Sequence, residues 1–204
     1  MKILDTLATE YDRLTGNATR DKVFTSQFTY PDDATAQLAF DRAVRRLLDL
    51  NAWSDLPGLT TAFQRVDPTG VPLPTPTPAV GDFVRIQLPG PVPANWGQIT
   101  VVRVADSLAE LTIQPSHAPD NSAADAPIAH FFGPESTSTI RVTRTGPTLV
   151  AQQIGLDERI NNQGEQAGDR PVLNTLVAEV GWAFFQHLQW QKIIDYLIAP
   201  EPAV

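Results

Sequence analysis

The residues with the clearest chemical potential in this chain are three histidines, His117, His130 and His187. A zinc ion needs three or four ligands converging in tetrahedral geometry, usually from short fixed spacings. These three share no such spacing, and the chain has no cysteine to complete a set. No metal and no cofactor are expected. His130 precedes Phe131 and Phe132. In that setting an imidazole serves either as a general base or polar anchor at a cavity mouth, or as a hydrogen-bonded histidine at the edge of a core. Asp157-Glu158-Arg159 follows a strand-like run. There a carboxylate and a guanidinium would hold a polar ligand group, or form an ordinary solvated ion pair. The hydroxyls of residues 136–139 lie outside any G-x-S-x-G frame, so their expected role is pairing across a strand rather than nucleophilic attack. No phosphate-cradling glycine loop, EF-hand spacing or H-E-x-x-H occurs.

The second group of candidates is aromatic. Trp53, Phe63, Trp96, Phe132, Phe184 and Trp190 could wall an apolar pocket, with His130 and Glu158 as polar anchors. The competing role for such residues is plain core packing.

These side chains need elements to hold them. Ile3, Leu4, Leu7, Tyr11 and Leu14 have helical spacing. Phe24, Ser26, Phe28 and Tyr30 alternate with polar residues and predict a strand. Pro31-Asp32-Asp33 offers a capping aspartate to a helix over 34–50, whose apolar residues include Leu38, Val44, Leu47 and Leu48. From 60 to 154 the period becomes two. Strands are expected at 61–66, 83–88, 99–104, 111–114, 138–144 and 148–154, the last two joined by Thr145-Gly146-Pro147 as a hairpin. Residues 172–198 form a helix whose apolar arc is too wide for one contact surface. It should begin near Pro171 and stop before Pro200.

Helix and strand do not alternate in βαβ fashion, so a parallel sheet is not expected. The expected fold is α+β: a curved antiparallel sheet of about six to seven strands packed on a long C-terminal helix. The alternative is a small antiparallel barrel with flanking helices. The whole of 1–204 reads as one domain, with a helical extension over 1–20 and a stiff proline-rich loop over 67–80.

Composition limits the partners. The formal net charge of −8 opposes nucleic-acid backbones and anionic lipid. The 42% hydrophobic and 19% charged content is that of a folded globular chain. No apolar run is long enough for a membrane span or a signal-peptide core, so a cytoplasmic setting is expected.

Two resemblances add to this. The order of strand, helix, antiparallel strands and long terminal helix resembles the START/polyketide-cyclase-like, or helix-grip, superfamily, and NAWSDLPG resembles the Trp-containing turn after its first helices. Locally, GDFVRIQLPGP (81–91), NWGQITVV (95–102), AHFFGPESTSTIRVTR (129–144), GLDERIN (155–161) and LQW (188–190) resemble an uncharacterised bacterial family. The matching positions are Gly81-Asp82, Trp96, His130-Phe131-Phe132, Thr137-Ser138-Thr139, Gly155, Glu158 and Asn161, within roughly residues 50–198. Leu156 and Asp157 depart from the more polar pair of that family. The family lends no function.

Three readings follow. The first is a protein that encloses a small hydrophobic or amphipathic ligand between sheet and terminal helix. The second is a structural or partner-binding homodimer without a cavity. The third is a cyclase- or hydrolase-like enzyme using His130 or Glu158, which rests on fold analogy.

Overall fold

The computed structural model describes residues 20–89, 93–119, 132–158 and 182–200; the side chains of residues 20 and 182–188 are outside that description. The helix expected over 3–14 and the helix start expected near Pro171 lie outside the described residues.

Seven strands form one antiparallel sheet: β1 (Arg20–Thr29), β2 (Ala62–Val66), β3 (Phe83–Gln87), β4 (Asn95–Ala105), β5 (Leu108–Pro115), β6 (Thr137–Thr145) and β7 (Thr148–Glu158). Their spatial order is β1-β7-β6-β5-β4-β3-β2, so β1 and β2 are the two edges. The sheet is therefore open, and the barrel alternative does not hold. Hairpins join β2 through β7 in sequence, while β1 crosses to pair with β7. Gly146 supplies the positive φ of 55° that turns β6 into β7.

Alternation sorts each strand into two faces. Leu149, Ala151, Gln153 and Gly155 share one side of β7, opposite Arg144, Val142, Ile140 and Ser138 of β6. Ala109, Leu111, Ile113, Ile99 and Val84 continue that buried face. Among the described residues, two helices cover it. The first, α1 (Asp33–Leu48), starts where the Asp32 carboxylate accepts the Thr35 N–H at 2.7 Å. It packs on β5, β6 and β7 through Ala36, Ala39, Phe40, Ala43 and Leu47. Leu38, expected on the apolar side, instead points outward and is 68% exposed. At about 100° per residue Leu38 lies half a turn away from Leu47, nine positions on, so it faces away from the buried side of the helix.

The second helix, α2 (Trp182–Ile198), packs on β1, β7 and α1. Its last turns bury Ile193, Ile194, Leu197 and Ile198. Each such side chain contributes about 1.5–3 kcal/mol on leaving water. The end of the helix is clamped by polar bonds. Arg46 donates to the carbonyls of Tyr196 (2.7 Å) and Ala199 (2.8 Å), and its guanidinium lies 4.7 Å from the Tyr196 ring centre. Tyr30 donates its hydroxyl to the Ile198 carbonyl at 2.8 Å. A cation on these orphan carbonyls also complements the helix dipole. Trp53 locks the other side of Arg46, donating Nε1–H to its carbonyl at 2.8 Å.

The proline-rich segment is an ordered loop. Arg65 pairs with Asp82 at 2.5 Å and donates to the Thr75 carbonyl and hydroxyl. The Ala79 N–H reaches Asp82 at 2.9 Å, and Asn51 bonds to both Arg65 N–H and the Leu73 carbonyl.

Candidate functional site

The interior face of the sheet changes character along β1, β6 and β7. Near Tyr30 it is lined by Phe28, Leu149 and Val142, with Arg144 opposite Leu149. Six to eight residues back along β1, about 20–26 Å at the usual strand rise, a polar track crosses three strands. Gln153 is its centre and is completely buried. Its register neighbours are Phe24 on β1 and Ile140 on β6, so the amide stands in an apolar row. Gln153 Nε2 donates to Ser138 Oγ at 3.0 Å. Its Oε1 is buried and has no hydrogen-bond partner among the described residues.

One step further along the same face, Gly155 lies opposite Lys22 and Ser138. Glu158 occupies the space over it: a β-carbon at Gly155 would collide with the Glu158 carboxylate. Strict alternation would send Glu158 to the other face. It is brought inward by Asp157, whose φ of 52° lies in the left-handed region. Aspartate tolerates that region better than most residues. Both of its backbone groups are pinned, the N–H by the Asp21 carboxylate at 3.0 Å and the carbonyl by the Ser136 hydroxyl at 2.8 Å. The pairing of β1 with β7 shifts register between Arg20 and Lys22 at the same level. Glu158 is thereby 7% exposed, with Lys22 Nζ 3.3 Å from its Oε2. It forms a buried pair rather than the solvated one that the sequence also allowed.

The other sequence-selected residues divide clearly. Trp53, Phe63 and Trp190 are brought together, with ring centres 5.5 Å apart between Trp53 and Phe63 and 6.4 Å between Phe63 and Trp190. Gln189, next to Trp190, accepts the Thr60 N–H at 3.0 Å and fixes α2 to the chain entering β2. This trio is close-packed core. Trp96 is not with it: it pairs with Arg85 on the face of β4 opposite Ile99 and Val84. Phe132 is half-buried before β6. Phe184 lies in the first turn of α2 with its side chain outside the description, and His130 lies outside the described residues. His117 stacks beside Phe83 at 5.7 Å, its Nδ1 2.7 Å from the Ala118 carbonyl.

The residues that sequence reasoning missed are Gln153, Ser138 as its partner, and Lys22. A signal for them existed. Gln153 has the parity of Leu149 and Ala151, and Lys22 that of Phe24, Ser26 and Phe28. A polar residue on an apolar parity is the informative kind.

Of the 136–139 hydroxyls, Thr139 pairs across strands with the Thr112 hydroxyl at 2.8 Å, while Ser136 donates to the Asp157 carbonyl. A separate cleft of about 400 Å³ opens between α1 and the β4–β5 turn, lined by Gln37, Phe40, Asp41, Val44, Val104 and Asp106. None of the sequence-selected residues borders it. Among the described residues no helix is long and apolar enough to cross a membrane.

Several solved structures align with most of this chain. A hypothetical protein from Helicobacter pylori aligns over 91% of this chain and 92% of its own, with a TM-score of 0.52 at 9% identity. An aromatase/cyclase from Streptomyces aligns over 88% and 94%, with a TM-score of 0.47 at 13% identity. A norcoclaurine synthase variant from Thalictrum flavum aligns over 89% and 96%, with a TM-score of 0.42 at 13% identity. No family model matches the chain, and no curated protein matches it. At 9% identity the likeness to the Helicobacter pylori protein is one of fold.

Proposed function

We propose that this protein binds a small hydrophobic or amphipathic molecule between the inner face of its sheet and α2, with Gln153, Ser138, Lys22 and Glu158 at the polar end of the site. The observation that carries this reading is the Gln153 carbonyl oxygen. An acceptor buried without a partner costs about 1–3 kcal/mol. A leucine would fill that row between Phe24 and Ile140 without the cost. An amide kept there is accounted for by a partner that arrives from outside the chain. The last turns of α2 are excluded as the binding place, because Ile193, Ile194, Leu197 and Ile198 already fill the space beneath them. The site therefore sits toward the Lys22–Glu158 end.

Native mass spectrometry of the purified protein, followed by titration with a neutral apolar fluorophore, tests this. Saturable binding of one fluorophore per chain is expected. A protein that carries no small molecule and gives no saturable signal would remove the reading.

A second reading, a homodimer, draws on edge strand β1, where Val23 is 56% and Phe28 is 38% exposed. Edge strands with open backbone groups invite pairing with a second copy. Light scattering across a dilution series decides it: a mass of one chain at every concentration counts against the dimer.

A further inference from the structure

The chemistry left open at Gln153 and Ser138 specifies more than a generic apolar ligand. A glutamine side chain offers two amide donors on Nε2 and an acceptor oxygen; a serine hydroxyl donates once and accepts. Here Nε2 donates to Ser138 Oγ. Gln153 Oε1 is left as an open acceptor. Ser138 accepts that bond, and among the described residues no acceptor takes its own proton. An unfilled acceptor and an available donor thus stand side by side on neighbouring strands. Phe24 and Ile140 flank them in register with apolar surface.

We propose that this pair reads a hydroxyl group, so that the ligand is a neutral alcohol or phenol on an apolar body; this rests on the ligand-binding reading above. A ligand hydroxyl donates to Gln153 Oε1 and accepts from Ser138, filling both positions at once. A ketone accepts from Ser138 but leaves the Gln153 oxygen empty. A carboxylate cannot donate, and it would meet the Glu158 carboxylate, which lies over Gly155 directly beside Ser138. An ammonium group would donate, but would enter a buried site whose one carboxylate is matched by Lys22 at 3.3 Å. Gln153 is fully covered, so neighbouring side chains must give way before a hydroxyl reaches it. Binding should therefore equilibrate slowly.

The test is displacement of the neutral fluorophore N-phenylnaphthylamine from the full chain, after long incubation, by decane, decanol, methyl nonyl ketone and decanoate. Decanol should compete about tenfold more tightly than decane, the order expected of one well-made buried hydrogen bond. The ketone and the carboxylate should show no such gain. In Gln153→Leu the decanol advantage over decane should vanish. Equal competition by decanol and decane overturns the proposal, as does a preference for the ketone or an advantage that survives Gln153→Leu. If Gln153→Leu does not fold, the ranking on the unaltered protein decides, with Ser138→Ala as the second variant, expected to lose part of the advantage. If neither the fluorophore nor any competitor binds, the ligand-binding reading itself falls.

Discussion

Among the described residues, the buried polar constellations around Arg65 and around Gln153 are built to opposite standards. Around Arg65 the guanidinium reaches Asp82 and Thr75, and the Asp82 carboxylate also takes the Ala79 N–H. Its partners all come from the proline-rich loop and the strands beside it. Around Gln153 the chain supplies a donor contact to Ser138 and then leaves the carbonyl oxygen empty. Burial is severe in both. The difference lies in what completes them. A network closed by its own chain holds a loop in place; the one around Gln153 is left open by the described residues, and the proposed ligand would complete it.

That contrast can be broken most forcefully at Arg65. Arg65→Met leaves Asp82 buried without its cation and should cost about 3–5 kcal/mol in chemical denaturation. Adding Asp82→Leu should recover much of the loss, because a well-packed apolar pair can replace a buried ion pair. Fluorophore binding should be unchanged in the double variant. A double variant as unstable as the single one would show that the pair does more than close the loop.

A smaller loss is expected at the α2 clamp. Arg46→Ala removes two charge-assisted bonds to the last carbonyls of the helix, and about 1.5–3 kcal/mol should go with them. Hydrogen exchange should rise in the final turn of α2 first.

Gln153→Leu should move stability the other way, upward by about 1 kcal/mol, since it removes a buried acceptor without a partner. A destabilised Gln153→Leu would mean that the amide is structural, and would erase the contrast with Arg65.

The smallest effect belongs to Asp32. Its hydrogen bond from the Thr35 backbone, then that from the Thr35 side chain, hold its carboxyl below the ordinary aspartate value of 3.8. A depressed value means that the cap is fully present above the unfolded aspartate pKa. It is lost as the pH falls through the lower folded value. Asp32→Ala should flatten that acid limb of the thermal melting profile and slightly lower stability at neutral pH.

Much of the fold was legible because it is local. The β6–β7 hairpin follows from alternating Thr, Ile and Val residues broken by Gly146-Pro147, and the start of α1 from Asp32. The inner faces of β1 and β7 were also legible by parity, with Gln153 and Lys22 standing out on them. Glu158 was recognisable as a candidate, but not its direction. Parity sends it outward, and only the left-handed turn at Asp157, held by Asp21 and Ser136 from two other segments, brings it in. Trp96 shows the reverse error. Its type suggested an interior wall, yet its register opposite Arg85 puts it on the other face.

By itself, then, the sequence determined the element types, the antiparallel order and the apolar faces, because alternation, helical spacing, caps and turn residues act over a few neighbouring positions. Tertiary structure decided which aromatic residues meet, which way Glu158 turns, and that the Gln153 oxygen has no partner among the described residues. Those outcomes depend on strand register and on residues more than a hundred positions apart, where no local pattern reaches.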